Sequence, residues 1–201
     1  MELEELGRGL RRWTSRHAEW EEDVGSLSLE TDDGLVLIDP YEPPAELRAP
    51  AHVLLTVFWH YRSTAALRTG RVWASRRTVK ALANRGVAVT DPIGADTELP
   101  GGVRAYETAR HGELVLWLPG QRALAVGDVL LGAGAKPHAT QDQIRLCPER
   151  WLGAATHGDL RASLEPLLEL PVERILLSHG EPVRLGGKRA LEQLLHAPSA
   201  A

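Results

Sequence analysis

Three apolar segments of this sequence each lead to a histidine or an aspartate. His60 follows Leu54-Leu55-Thr56, Asp128 follows Leu124-Ala125-Val126-Gly127, and His179 follows Ile175-Leu176-Leu177-Ser178. Imidazole and carboxylate groups are the side chains that most often transfer protons or bind metal ions in proteins. The carboxyl ends of strands in a layered α/β sheet converge on one crevice, so residues just past them can meet although they are distant in sequence. The two histidines and the aspartate are therefore candidates for one common site.

The elements that must position these residues are two hairpins and a series of strand–helix units. The first hairpin spans residues 24–39, with Asp33-Gly34 in its turn, and the second joins residues 113–118 to residues 123–126. Hydrophobic periodicity and breakers also predict strands at residues 52–57, 72–75, 87–89 and 174–177, and helices at residues 63–68, 78–84, 160–170 and 188–195. This mixture favours a layered α/β protein.

Composition limits the classes of protein that the chain can belong to. Its 201 residues suit one domain, which we assign to residues 1–201, and 43% apolar with 25% charged residues is typical of a globular protein. A formal net charge of −4 gives no basic surface for nucleic acid, and no apolar stretch is long enough to cross a bilayer. The acidic first residues do not resemble a secretion signal, so we expect a cytoplasmic protein. Its single cysteine, Cys147, allows no internal disulfide and no Cys-x-x-Cys motif, which argues against thiol chemistry.

Five segments carry a resemblance to a known family when they are taken together and in order. They are Val36-Leu37-Ile38-Asp39, Leu55-Thr56 with a histidine before a helix, Gly112-Glu113-Leu114-Val115-Leu116, Val126-Gly127-Asp128-Val129-Leu130 and Ser178-His179-Gly180. From about Gly25 to the C-terminus the chain resembles the metallo-β-lactamase superfamily. The resemblance implies a four-layer αββα sandwich, in which two mixed sheets lie face to face with helices outside and a cleft runs along one sheet edge.

The family's metal-binding motif, His-x-His-x-Asp-His, is degenerate in this chain, because residues 56–63 contain only one histidine, His60. In one alignment Phe58 stands at the first histidine of the motif, His60 at the second, and Arg62-Ser63 replaces the Asp-His pair. In the other alignment His60 is the final histidine and Trp59 replaces the aspartate. We favour the second alignment, since the following residues then match the family's next helix and strand.

In this second alignment, the resemblance implies that His60, Asp128 and His179 match three of the four protein ligands of the family's second metal. Two imidazoles and a carboxylate suit zinc or iron, and three protein ligands leave a position for water. The last histidine of the first metal site would fall on Ala109. His111 stands two residues away and serves as a metal ligand only if the loop is shortened.

Two hypotheses about function follow from the resemblance, and the sequence leaves both open. In the first, the protein is a hydrolase of an ester, thioester or amide bond in an unidentified small molecule, with one zinc, iron or manganese ion at His60, Asp128 and His179. In the second, the protein is a metal-free relative that binds a ligand or serves as a scaffold, and Arg62 supplies a fixed positive charge that pairs with Asp128. Asp128 and Arg62 are thus the candidate catalytic or binding residues, and a homodimer is compatible with either hypothesis.

Other residues of chemically active types show no such arrangement. Five histidines have no ligand spacing to one another and are expected at the surface or in satisfied core positions: His17, His52, His138, His157 and His196. The tryptophans are scattered along the chain, and of these Trp59 is the one expected to line the cleft. No serine hydrolase elbow and no phosphate-binding P-loop motif occurs in the sequence.

Overall fold

The computed structural model describes residues 3–137 and 139–197, which form thirteen strands and three α-helices. In chain order the strands are β1 Leu3–Gly7, β2 Leu10–His17, β3 Glu22–Thr31, β4 Gly34–Ile38, β5 His52–Leu54, β6 Arg71–Ser75, β7 Asp91–Ile93, β8 Arg104–Glu107, β9 Leu114–Leu118, β10 Ala123–Val126, β11 Leu130–Gly132, β12 Ile144–Leu146 and β13 Arg174–Leu177. The helices are α1 Val79–Ala83, α2 His157–Leu164 and α3 Gly187–His196. Within these described ranges, no helix has the length and apolar character that crossing a membrane requires.

Two sheets hold most of the strands. The larger sheet has the order β1-β2-β3-β4-β5-β6-β7, in which β1 to β4 are antiparallel and β4 to β7 are parallel. The smaller sheet has the order β13-β10-β9-β8, in which β10 and β13 are parallel and the other pairs antiparallel. Strands β11 and β12 pair with each other as a separate ribbon. Both sheets are thus mixed, as expected.

The alternation of side chains along β9 shows how the layers form. Leu114, Leu116 and Leu118 belong to the core between the two sheets, whereas Val115 and Trp117 belong to the core between the smaller sheet and helices α2 and α3. Successive residues of a strand point to opposite faces, so a strand that is apolar throughout needs a covering layer on both sides.

The outer face of the larger sheet is covered in the same way. Leu37, Val53 and Val72 pack with Leu82 of α1 in a third buried cluster. Helices therefore lie outside both sheets, and the predicted αββα sandwich is confirmed.

Several predicted elements differ in their limits from those observed. Both hairpins, the strands at 72–75 and 174–177 and the C-terminal helix are present, but the segment predicted as a helix at 63–68 is only a 3-10 turn over Thr64–Ala66. A helix this short gains few hydrogen bonds for the cost of nucleation. The predicted strand at 87–89 is absent, because Val87 and Val89 pack on the outer face of the larger sheet and pairing starts at Asp91. Helix α2 ends at Leu164, just before Pro166, which cannot donate within a helix.

The candidate residues lie at one edge of the sandwich. Strands β4 and β5 of one sheet and β10 and β13 of the other all end there. The two sheets are joined at this edge by backbone hydrogen bonds from Leu114 N to Thr56 O and from Gly25 N to Ser178 O, both 2.8 Å long. The loops that follow the four strands therefore open onto the same cleft.

Candidate metal centre

The structure brings His60, Asp128 and His179 together, as the sequence predicts. His60 lies in the 3-10 turn Phe58–Tyr61 after β5, and Asp128 and His179 each lie two residues past the end of their strand. The Nε2 atoms of His60 and His179 are 3.1 Å and 3.2 Å from Oδ1 of Asp128. All three side chains are buried, and their nearest ligand atoms lie within 4.8 Å of one another.

The converging atoms have the spacing of metal ligands rather than the geometry of a hydrogen bond. His60 Nε2 and Asp128 Oδ1 are buried and lack a hydrogen-bond partner among the described residues, although they are only 3.1 Å apart. Two ligands at about 2.0–2.1 Å from a tetrahedral zinc ion are roughly 3.3 Å from each other. A buried polar atom without a partner is costly unless another group satisfies it. One cation held between these atoms would satisfy both, so the three side chains fit a single metal ion.

A carboxylate supports each imidazole on the side away from Asp128. Asp39 Oδ2 is 2.9 Å from His60 Nδ1, and Asp39 Oδ1 accepts a hydrogen bond of 2.9 Å from Thr56 N. Glu22 Oε2 lies 3.5 Å from Nδ1 of His179. A carboxylate at Nδ1 fixes the orientation of a metal-binding histidine and makes Nε2 the ligand atom.

The second oxygen of Asp128 is held by donors from two other segments. Trp59 Nε1 donates to Asp128 Oδ2 at 2.7 Å, and Arg110 Nη1 donates to the same oxygen at 3.4 Å. Glu113, which is also buried, accepts hydrogen bonds at Oε1 from Asp128 N (2.6 Å) and Val129 N (2.8 Å), and its Oε2 pairs with Arg110 Nη1 at 3.2 Å. These contacts fix both the carboxylate and the backbone of the loop that carries it.

Burial and these partners shift the pKa values of the centre. Burial by itself would raise the pKa of Asp128, but the facing imidazoles hold it well below its usual range. Desolvation likewise opposes protonation of His179, but the carboxylates of Asp128 and Glu22, which face its two ring nitrogens, outweigh this and raise the pKa to about 9. Burial, together with the charge of Asp128, raises the pKa of Glu113 to about 7. Without a metal, His179 is therefore an imidazolium at neutral pH.

The centre opens into a cleft with a volume of about 530 Å³. Its lining combines tryptophan rings with a few charged groups: Trp20, Glu22, Trp59, Arg110, Asp128, Lys136, Pro137, Trp151 and His179. Trp59 therefore lines the cleft, as expected. Its largely apolar wall is typical of small-molecule sites, where few polar groups fix the orientation of the ligand.

Two predicted site residues lie elsewhere. His111 is exposed, and it is not part of the ligand cluster found among the described residues. It stands in the tight turn before β9, where Glu113 N donates to Arg110 O, and in this turn Arg110 faces the cleft while His111 faces solvent. The expectation that His111 reaches the metal site is corrected accordingly.

The ion pair expected between Arg62 and Asp128 is not formed in the described part of the chain. The Arg62 guanidinium lies against the rings of Trp20 and Tyr41, at 5.8 Å and 5.6 Å, and its Nη atoms are buried without a hydrogen-bond partner there. Burial lowers its pKa. Arg62 follows the turn that carries His60, which directs it toward the β2–β3 loop, and Arg110 is the arginine that contacts Asp128.

The remaining histidines and the cysteine have structural surroundings. His52 is buried between Asp33 O and the indole of Trp73, His17 stacks on Trp20, His157 Nε2 bonds Cys147 O, and His196 is exposed. His138 lies outside the described residues. Burial raises the pKa of the Cys147 thiol to about 12, so thiolate chemistry is disfavoured.

Sequence analysis did not identify the residues that support the triad. Glu22 and Arg110 belong to no segment that the resemblance uses, and Asp39 and Glu113 belong to two of the five segments but were given no role in the site. One signal was available for Glu113, a carboxylate directly before the apolar strand β9. A signal was also available for Asp39, which directly follows the apolar strand β4, just as Asp128 and His179 follow β10 and β13.

The layers and the strand-end triad define an αββα protein with one candidate metal centre.

No protein-family model and no curated protein sequence matches the chain. Solved structures do match it: a metallo-β-lactamase from Pontibacter korlensis has 15% sequence identity and a TM-score of 0.67, with 98% of this chain and 99% of that chain covered. FIM-1, a metallo-β-lactamase from Pseudomonas aeruginosa in its mono-zinc form, has 13% identity and a TM-score of 0.63 over 96% of this chain and 94% of that chain. The crystal structure of VMB-1 has 16% identity and a TM-score of 0.67, with 96% of this chain and 95% of that chain covered. The chain therefore has the metallo-β-lactamase fold.

Proposed function

We propose that the protein is a hydrolase that holds one divalent metal ion through His60, Asp128 and His179 and cleaves an ester, thioester or amide bond. The observation that carries the proposal is the convergence of three buried ligand atoms, two of which have no hydrogen-bond partner among the described residues. The carboxylates at both Nδ1 atoms support it, since this arrangement orients imidazoles toward a metal.

The three ligands also favour a catalytic over a structural ion. Structural zinc sites are closed by four protein ligands, whereas catalytic sites have three and keep a position for water or substrate. When bound, such an ion supplies a Lewis acid that polarises a carbonyl group and lowers the pKa of water. The chain itself orients Asp128 through Trp59 and Arg110, and the indole rings of Trp20, Trp59 and Trp151 line the cleft beside it. The mono-zinc form of FIM-1 shows that a protein of this fold can hold a single zinc ion.

A second candidate function is metal-free ligand binding. It is favoured by the pairing of Asp128 with Arg110 and by the raised pKa of His179, because a guanidinium and an imidazolium can balance the aspartate charge without a metal. In this form of the metal-free hypothesis, Arg110 takes the place of Arg62 as the partner of Asp128.

The test is the metal content of the full chain, purified without chelator and without added metal, by elemental mass spectrometry. We expect about one equivalent of zinc, iron or manganese in the wild type and little in His60→Ala, Asp128→Ala and His179→Ala. His196→Ala, at an exposed position, is the matched control and should retain the metal. Metal-loaded protein is then screened against 4-nitrophenyl esters, acyl thioesters and anilides.

Each outcome decides between the two functions. Metal that is lost in the three variants, together with turnover of one substrate class, supports the hydrolase. Metal below about a tenth of an equivalent, unchanged after incubation with each of the three ions, overturns the hydrolase and favours the binding protein.

A further inference from the structure

Arg110 is held in one orientation inside the cleft. Only 12% of its side chain is exposed, and Nη1 alone contacts both Glu113 Oε2 and Asp128 Oδ2, at 3.2 Å and 3.4 Å. The indole rings of Trp59 and Trp151 lie 4.3 Å and 5.7 Å from the guanidinium carbon. Two carboxylates and two aromatic faces thus fix the guanidinium plane in advance, which lowers the entropic cost of binding a ligand to it.

The other edge of this guanidinium is unused. Nε and Nη2 of Arg110 make no hydrogen bond with the residues the structure describes, and Arg110 lines the cleft. The carboxylates of the cleft, by contrast, already face donors: Asp128 faces two imidazoles and an indole, and Glu22 faces His179 and Lys136 N. A guanidinium edge offers two parallel N–H groups, which match the two oxygens of a carboxylate.

We infer that Arg110 binds a carboxylate of the substrate, whose apolar part packs against the tryptophan rings of the cleft. The inference rests on the proposed function in that it names the substrate class of the same site: small carboxylates that carry an apolar, ring-sized group next to the cleaved bond. Lys136, which lines the same cleft, adds a second positive charge that attracts anionic ligands. Binding is measured without turnover, so the two proposals are tested separately.

The experiment is isothermal titration calorimetry of the full chain with 2-naphthoate and with its neutral counterpart 2-naphthamide. The protein is treated with chelator, so that no metal ion binds the carboxylate in place of Arg110. We expect naphthoate to bind at least about tenfold more tightly than naphthamide, the size of effect of a charge-assisted hydrogen-bond pair. Arg110→Gln should abolish this preference and leave naphthamide binding nearly unchanged.

Two further variants keep the test decisive. Arg189→Gln makes the same charge change at an exposed position on α3 and should bind naphthoate like the wild type. Arg110→Lys keeps the charge beside Glu113 and Asp128 but offers no paired donors, so it should weaken naphthoate binding by roughly tenfold. If Arg110→Gln fails to fold, Arg110→Lys decides the question.

The inference is overturned if the wild type does not prefer naphthoate, or if Arg110→Gln and Arg110→Lys retain the preference. A naphthoate preference that depends on Arg110 in a protein that takes up no metal would uphold the inference and refute the hydrolase. A metal-loaded, active protein that does not prefer naphthoate would support the hydrolase and refute the inference about Arg110.

Discussion

Each imidazole of the candidate centre lies between two carboxylates. His60 has Asp39 at Nδ1 and Asp128 at Nε2, and His179 has Glu22 at Nδ1 and the same Asp128 oxygen at Nε2. The shared oxygen places Asp128 at the middle of the cluster, and the outer carboxylates determine which nitrogen of each ring faces it. Metal affinity should therefore depend on residues that do not contact the metal.

The first prediction concerns Asp39. Asp39→Asn retains the size of the side chain and its tolerance of the positive φ of 48° at this position, but it removes the charge behind His60. We expect zinc affinity to fall by about 10–100-fold, the usual effect of losing such a support, in a competition assay with a chelating dye. Asp32→Asn, in the exposed turn before β4, should leave the affinity unchanged. Equal affinities for all three proteins would show that Asp39 does not tune the ligand.

At the scale of elements, the position of His179 depends on close packing between the loop after β13 and strand β11. Gly180, next to His179, has a φ of 79°, and a Cβ atom there would lie 2.6 Å from Gly132 O and 2.8 Å from Ala133 O. Gly132 N in turn donates to His179 O at 2.9 Å. The two backbones approach each other so closely that no side chain fits between them.

The second prediction compares Gly180 with a glycine that has nearly the same φ. Gly86, after α1, has a φ of 77° but open space around its Cα. Gly86→Ala should cost about 1–2 kcal/mol for the left-handed backbone alone. Gly180→Ala should cost a further 1–3 kcal/mol, approximately the cost of overpacking, and should also weaken metal binding because His179 moves. Urea denaturation and a zinc titration of both variants measure these effects, and equal destabilisation would argue against the close approach.

At the scale of the whole molecule, the buried charges of the centre couple stability to pH. In chelator-treated protein, folding raises the pKa of Glu113 from 4.5 to about 7 and that of His179 from 6.5 to about 9. Both groups bind protons more tightly in the folded state, so both contributions to stability are lost as pH rises. The lowered pKa of Asp128 acts in the opposite sense, and its contribution is lost on acidification below its ordinary value of 3.8.

The third prediction is the resulting pH profile. In chelator-treated protein, the free energy of unfolding should decline from about pH 4.5 to about pH 9, measured by urea denaturation. Glu113→Gln should remove the part of the decline below about pH 7, and His179→Asn the part above about pH 6.5. Zinc-loaded protein should instead gain stability with rising pH over this range, because the ligands must be deprotonated to bind. A flat profile in the chelator-treated wild type would contradict the assigned shifts.

Much of the fold could be predicted because it is encoded in local patterns. The continuous apolar run of β9 indicates burial on both faces, and Asp33-Gly34 indicates the turn of the first hairpin, which the structure places between β3 and β4. The hairpin β1–β2, by contrast, was not predicted. Its strands mix charged and apolar residues, and Arg12 is buried beside Trp13, so no clean alternation marks them.

The sequence by itself determined the three residues of the candidate centre. A histidine or aspartate just past an apolar strand can lie only at the strand's carboxyl end, and the sheet brings these ends together. Only the tertiary structure decided which charged residues surround them. Arg62 and Arg110 both lie within a few residues of a strand end at the cleft. The turn that carries His60 directs Arg62 toward Trp20. The turn before β9 directs Arg110 toward Asp128 and His111 toward solvent. The direction of a loop side chain is set by turn geometry and by contacts from distant segments, neither of which has a periodic signature in the sequence.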